Sequence, residues 1–164
     1  MIEPKVGSEE DIGNYIMLYY YRNPITQLFF NESVVLASMH SFDLTDQWKE
    51  GVNRAKLFER ACFLADLLKH EEYLQQRIEV AKPEFFDQVL QFMINKRVLV
   101  AVGDKLVLRT SGESQILFIQ SLIFPVIDTY YVSLVYVLTF IKNKGIDVSS
   151  LLKSVQWLAE LLFK

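Results

Sequence analysis

Residues 83–108 read PEFFDQVLQFMINKRVLVAVGDKLVL, and the spacing of apolar side chains changes within this stretch. Phe85, Phe86, Val89, Leu90, Phe92 and Met93 share one broad face at a period of 3.6. Pro83 suits a first helical position, because the N–H it lacks is one that a helix start leaves unbonded anyway. Together these predict a helix from Pro83 to near Asn95. From Val98 the period falls to 2. Residues 98–102 and 106–108 are β-branched and aliphatic runs separated by Gly103-Asp104-Lys105, where glycine supplies a tight turn. They predict a β-hairpin, a wing near residues 97–109, and no other strand pair is expected.

On both sides of this stretch the pattern is helical. Ser8-Glu9-Glu10-Asp11 resembles a capping box, with acids suited to the positive end of a helix dipole, and predicts a helix through Ile12, Tyr15, Ile16 and Tyr19 that stops at Asn23-Pro24. A second helix runs from Pro24 to His40 through Ile25, Leu28, Phe29, Val35, Leu36 and Met39, completing a helical hairpin. Leu57, Ala61, Leu64 and Leu68 form the inward stripe of a third helix reaching Lys69, and residues 71–80 continue as a short helix. After the wing, Gly112 opens an apolar region ending before Asn143-Lys144-Gly145, and a last helix capped by Asp147 or Ser149 turns Leu151, Val155, Leu158 and Leu162 inward.

That apolar region, residues 116–141, holds Asp128 as its sole charge. As one helix it would be about 39 Å long against a bilayer core of about 30 Å. Pro125 and Asp128 fall near its middle, and a mid-bilayer Asp costs roughly 2.5–3.5 kcal/mol. The reading favoured over a transmembrane span or a helix lying on a membrane is therefore a central buried helix, or a pair meeting at Pro125.

Composition agrees with a folded chain. The 164 residues are 51% hydrophobic and 23% charged with only 6 Gly and 4 Pro, which excludes disorder and low complexity and predicts a single helical domain over residues 1–164. The fold class expected is mainly α, a multi-helix bundle with one hairpin. A net charge of −3 gives no global field for nucleic acid or an anionic membrane. One cysteine, Cys62, allows no internal disulfide, and the N-terminus lacks a secretory layout, so a reducing, intracellular compartment is expected.

Little in the residues points to catalysis. His40 and His70 are the two histidines; His40 reads as a helix-end residue and His70-Glu71-Glu72 as an exposed polar helix end, with no zinc spacing. Cys62 between Ala61 and Phe63 reads as a small core residue, and Asp128 as a hydrogen-bonded polar group of an apolar helix. Ser111-Gly112-Glu113-Ser114 lacks a nucleophile elbow, and no phosphate-cradling glycine loop occurs. No catalytic, cofactor-binding or metal residue is assigned, and no cofactor is expected. The helix from Pro83 followed by a wing with Lys96, Arg97, Lys105 and Arg109 imitates a winged helix-turn-helix, a nucleic-acid or protein binding module. Its helix carries Glu84 and Asp87 and no basic residue before Lys96, so nucleic acid is the weaker expectation.

Several segments resemble one family in order. Residues 21–33, YRNPITQLFFNES, are similar to a helical segment that follows the catalytic region of glycerol-3-phosphate and dihydroxyacetone-phosphate acyltransferases. Cys62-Phe63-Leu64 with Glu72-Tyr73, Phe85-Phe86-Asp87, the wing, and residues 118–130 with LIFPVIDTY resemble further segments, over about residues 12–163 and nearest to the peroxisomal dihydroxyacetone-phosphate branch. The resemblance implies acyl transfer from acyl-CoA to a glycerol-phosphate-type hydroxyl in glycerolipid or ether-lipid synthesis, at a peroxisomal, mitochondrial or ER membrane. The family's His-x-x-x-x-Asp base and its arginine motif have no counterpart here, since Thr45 stands five residues after His40 and Gln75 five after His70. The chain is expected to correspond to the C-terminal helical region alone, as a fragment, a split gene product or a cut domain that stops short of the usual C-terminus. Its expected partner is a catalytic acyltransferase domain or another protein, with a membrane surface as a further contact. Tyr19-Tyr20-Tyr21 and Phe29-Phe30 are the candidate interface anchors, with ordinary core as the favoured reading.

Overall fold

A computed structural model describes residues 17, 24–42, 49–71, 79–140 and 147–162. The chain divides into two compact units, Met1–Ile123 and Phe124–Lys164. The first contains helix α1 (Phe30–Met39), strand β1 (Val52–Asn53), α2 (Arg54–Leu68), α3 (Pro83–Asn95), β2 (Leu99–Val102), β3 (Lys105–Leu108), a 3-10 turn (Thr110–Gly112) and α4 (Glu113–Ser121). The second contains α5 (Phe124–Phe140) and α6 (Val148–Leu162), packed on each other. The class is mainly α with one small sheet, as the pattern predicts. Apart from Met17, which is helical, the first helix expected from Ser8 lies outside the described residues, as do Tyr19, Tyr20 and Tyr21 and most of the short helix expected over residues 71–80. Glu71, Glu79 and Val80 are described, and none of them is helical.

The centre of the first unit is α1; residues 116–141, expected as a central buried helix or a pair meeting at Pro125, form the pair, of which only Ile116 and Gln120 on one helix and Val132 on the other are buried. Every residue of α1 from Ser33 to Met39 is buried, against α2, α4 and α3. Small residues permit this, since Ser33, Ala37 and Ser38 let neighbouring helices approach, and the two hydroxyls donate back into their own helix, Ser33 Oγ to Phe29 O at 2.7 Å and Ser38 Oγ to Val34 O at 2.7 Å. Such back-bonding bends helices, and the helix predicted from Pro24 to His40 accordingly breaks at Phe29: residues 24–28 are helical, Phe29 is bent, and α1 follows. Burial pushes the Glu32 carboxyl above its ordinary value of 4.5, against a smaller lowering by its own backbone amide. The neutral form is then the one the fold favours, so stability present below the ordinary value is lost as pH rises through the raised one. Glu32→Gln is expected to melt above wild type at pH 7, with the difference closing below pH 4 in thermal unfolding.

The helix predicted from Pro83 is α3, with Pro83 in its first turn and Phe86, Val89, Leu90 and Met93 buried. It ends in a Schellman motif. Arg97 N–H donates to Ile94 O at 2.9 Å and Val98 N–H to Met93 O at 2.9 Å, with Arg97 in the left-handed region at φ 60 where glycine is the usual residue. Removing the Cβ relieves strain there, so Arg97→Gly is expected to stabilise the chain by about 0.5–1 kcal/mol, read as a higher urea midpoint at unchanged slope.

The wing is present, with β2 and β3 antiparallel and Val102 opposite Lys105. Its turn is two residues, Gly103-Asp104, rather than the expected three. Gly103 at φ 62 stands at the first central position, where two-residue hairpin turns of the II′ kind need glycine. The expectation of a single strand pair is corrected: Val52 and Asn53 pair with Leu106 and Lys105, giving a sheet in the order β1-β3-β2. Two residues carry no readable period, so the pattern could not announce them. Asn53 then caps α2, its Oδ1 accepting from Ala55 N at 3.0 Å and Lys56 N at 3.2 Å, while its Nδ2 donates to Asp104 Oδ2 at 2.7 Å and so ties helix to wing. Along α2 the buried stripe is Leu57, Ala61, Ala65 and Leu68, with Leu64 half-buried.

The apolar region after Gly112 is two helices. The chain leaves helical geometry at Leu122–Ile123 and α5 restarts with Pro125 in its first turn, the pair foreseen at that proline. Among the described residues no single helix is long and apolar enough to cross a membrane. Asp147 caps α6, its Oδ2 accepting from Ser150 N at 3.2 Å. Leu158 is buried and Leu151 and Val155 half-buried as expected, but Leu162, at the helix end, is exposed.

Candidate functional site

The titratable residues singled out from sequence stand apart in separate settings. His40 is the C-cap of α1, its N–H donating to Ala37 O at 3.0 Å. His70 is exposed just past α2, where it adds a minor share to the effect of Lys69, whose ammonium hydrogen-bonds Asp66 and holds that carboxyl below its usual range. Cys62 is half-buried rather than core; its Sγ lies 3.8 Å from Ala81 O, and burial pushes the thiol up, away from the reactive thiolate. Asp128 is half-buried on α5. Among the described residues no group of three or more His, Cys, Asp or Glu is placed to hold a metal ion.

Basic residues of the wing are exposed but interleaved with acids. Arg54, at the start of α2, pairs with Asp87 on α3, and Asp104 sits in the wing turn bonded to Asn53. Asp87 and Asp104 thus line one cleft together with Arg54 and Lys105.

Two apolar features stand out instead. In the first unit, a cleft of about 370 Å3 opens between α1, α3 and α4, lined by Phe29, Phe92, Met93, Val98, Phe118 and Ile119, with Lys96 as its charged member. Ser33 Oγ also lies 2.8 Å from Ile119 O, and Gln120 Nε2 donates to Leu36 O at 3.1 Å, so the α1–α4 wall of the cleft is fixed by hydrogen bonds. Of the anchors proposed from sequence, Phe30 is core and Phe29 lines this cleft. Lys96, Phe118 and Ile119 were not foreseen as neighbours, because the cleft joins elements distant in sequence.

In the second unit the surplus lies on the outside. Only Val132 of α5 is fully buried, and Tyr131, Leu134 and Leu138 form an exposed stripe at helical spacing, with Leu138 77% exposed. On α6, Val148 and Leu152 flank one side of the buried line and Trp157 and Leu161 the other, all exposed, leaving only a narrow polar face with Ser149, Lys153, Gln156 and Glu160. Tyr136 and Phe140 stack with ring centroids 5.1 Å apart and, with Trp157 and Lys153, line a slot of about 350 Å3.

The family model described as glycerol-3-phosphate acyltransferase C-terminal region matches residues 6–164. No curated protein and no solved structure matches the chain.

Proposed function

We propose that this chain, which belongs to the glycerol-3-phosphate acyltransferase C-terminal region family, is the non-catalytic helical part of an acyltransferase, with α5 and α6 packing against the catalytic region of the same protein. The observation that carries this reading is the exposed stripe Tyr131, Leu134 and Leu138 on a helix that is apolar nearly all round. Such a helix belongs in a core or a bilayer, and α5 alone is not long and apolar enough to cross one. A second protein surface satisfies it. Transfer of an acyl group from acyl-CoA to glycerol 3-phosphate or dihydroxyacetone phosphate is the parent activity this reading implies. The family description supports acyl transfer to glycerol 3-phosphate, and the segments of residues 21–33 and 118–130 support the dihydroxyacetone-phosphate branch and ether-lipid synthesis. The general base then comes from the catalytic region, in keeping with Thr45 and Gln75 standing where a His-x-x-x-x-Asp motif needs aspartate.

The test is co-purification of the chain with an acyltransferase catalytic region. Leu138→Asp changes an exposed position and is expected to leave the unfolding curve unchanged while abolishing association and any gain in acyl transfer. Equal association of wild type and variant, or none with either, sinks the reading. A second contact has its own support: Trp157, Tyr136, Phe140 and Lys153 are the residue types that settle at a lipid–water interface. Flotation of the chain with phosphatidylcholine–phosphatidylserine vesicles, weakened by Trp157→Ser, is the expected result of peripheral membrane contact.

A further inference from the structure

The cleft of the first unit has the features of a ligand site. Met93 and Val98 are only 1% and 2% exposed, whereas Phe92 and Phe118 are 39% and 52% exposed, so aromatic rims open onto an apolar interior. Its volume of about 370 Å3 falls in the range of small-molecule sites, about 300–1,000 Å3. Hydrogen-bonding partners are few: Ser114 and Gln115 are the uncharged polar residues of the lining, which suits a hydrocarbon and not a sugar or nucleotide. The one charge is positive. Lys96 Nζ lies 5.6 Å from the Phe92 ring centroid, and among the described residues no carboxylate lines the cleft. An occupant that is apolar along its length and anionic at one end complements both properties.

We infer that this cleft binds a single alkyl chain carrying an anionic head group, with the chain against Phe29, Met93, Val98 and Ile119 and the head paired with Lys96. Beside the cleft α4 is held on α1 by the Gln120–Leu36 hydrogen bond and by the Ser33 hydroxyl, whose one proton is shared between Phe29 O and Ile119 O. The inference goes beyond the docking of α5 and α6 and does not depend on it, since every described lining residue belongs to the first unit.

The test uses the purified 164-residue chain with decanoate, decyl phosphate and uncharged decyl glucoside as probes below their micelle concentrations, followed by titration calorimetry and by the methyl signals of Met93 and Ile119. Both anions are expected to bind at least about tenfold more tightly than decyl glucoside and to shift those two methyls. Decanoate ahead of decyl phosphate assigns a carboxylate-headed source and the reverse order a phosphate-headed lipid; both support the site. Lys96→Met, at an exposed position, is expected to weaken both anions about tenfold and leave decyl glucoside unchanged, and Phe118→Asp to weaken all three. Equal binding of charged and uncharged probes, insensitivity to Lys96→Met, or shifts confined to α5 and α6 overturns the inference.

Discussion

Gly51→Ala is expected to destabilise the chain by about 2–5 kcal/mol, read as a lower urea midpoint at unchanged slope. Two costs add. Gly51 sits at φ 81, in the left-handed region where a Cβ costs about 1–2 kcal/mol. The new methyl would also stand 2.9 Å from Val107 Cγ2 and 3.0 Å from Lys105 Cβ, closer than packed atoms tolerate, and overpacking of this kind costs about 1–3 kcal/mol. Neither neighbour yields easily, since Val107 is branched at Cβ and the Lys105 atom is fixed by its strand. Gly103 provides the control. At φ 62 it carries the same backbone cost, but nothing lies within 4 Å of its Cβ position, so Gly103→Ala is expected to cost only about 1 kcal/mol. Equal losses at the two sites would show that β1 does not press against β3 as described.

Gln120→Leu is expected to cost about 1–3 kcal/mol in the same measurement, although it preserves volume and adds apolar surface at a buried position. The cause lies at the end of α1, whose last four carbonyls need partners once the helix stops. Ser38 O accepts from Ser41 N and Oγ, Met39 O from Phe42 N, and Ala37 O from His40 N, the amide that would have reached Leu36 had the helix continued. Leu36 O is served instead by Gln120 Nε2, from 84 residues away. Leucine would leave that carbonyl buried beside hydrocarbon. A neutral or stabilising effect would mean that Leu36 O finds another donor.

These two positions also show where reading along the chain stops. Gly51 is an ordinary glycine in the sequence, and only the pairing of β1 with β3 makes it irreplaceable. Gln120 lies in an apolar run, where glutamine reads as an interruption rather than as the cap of a distant helix. For the cleft, Phe92 and Met93 were legible as one helix face, but Phe29, Lys96 and Phe118 become neighbours only when α1, α3 and α4 meet. The largest difference concerns which helix is enclosed within its own unit. Residues 116–141 are more apolar than α1, yet α1 is the enclosed helix and α5 turns Tyr131, Leu134 and Leu138 outward.

Local pattern by itself determined the mainly helical class, the span of α3 from Pro83 to Asn95 and the wing at the change of period, and it narrowed the break before α5 to Pro125 and the cap of α6 to Asp147 or Ser149. Each depends on contacts within a few residues, which spacing, proline, glycine and capping side chains report directly. Tertiary structure alone decided which helix lies at the centre, that Val52 and Asn53 add a third strand, and that one lysine faces an apolar cleft. Hydropathy measures how favourable burial would be for a side chain, whereas actual burial depends on whether neighbours can approach. Small residues with internally bonded hydroxyls let them reach α1, whereas Tyr131, Leu134 and Leu138 of α5 stay exposed among the described residues.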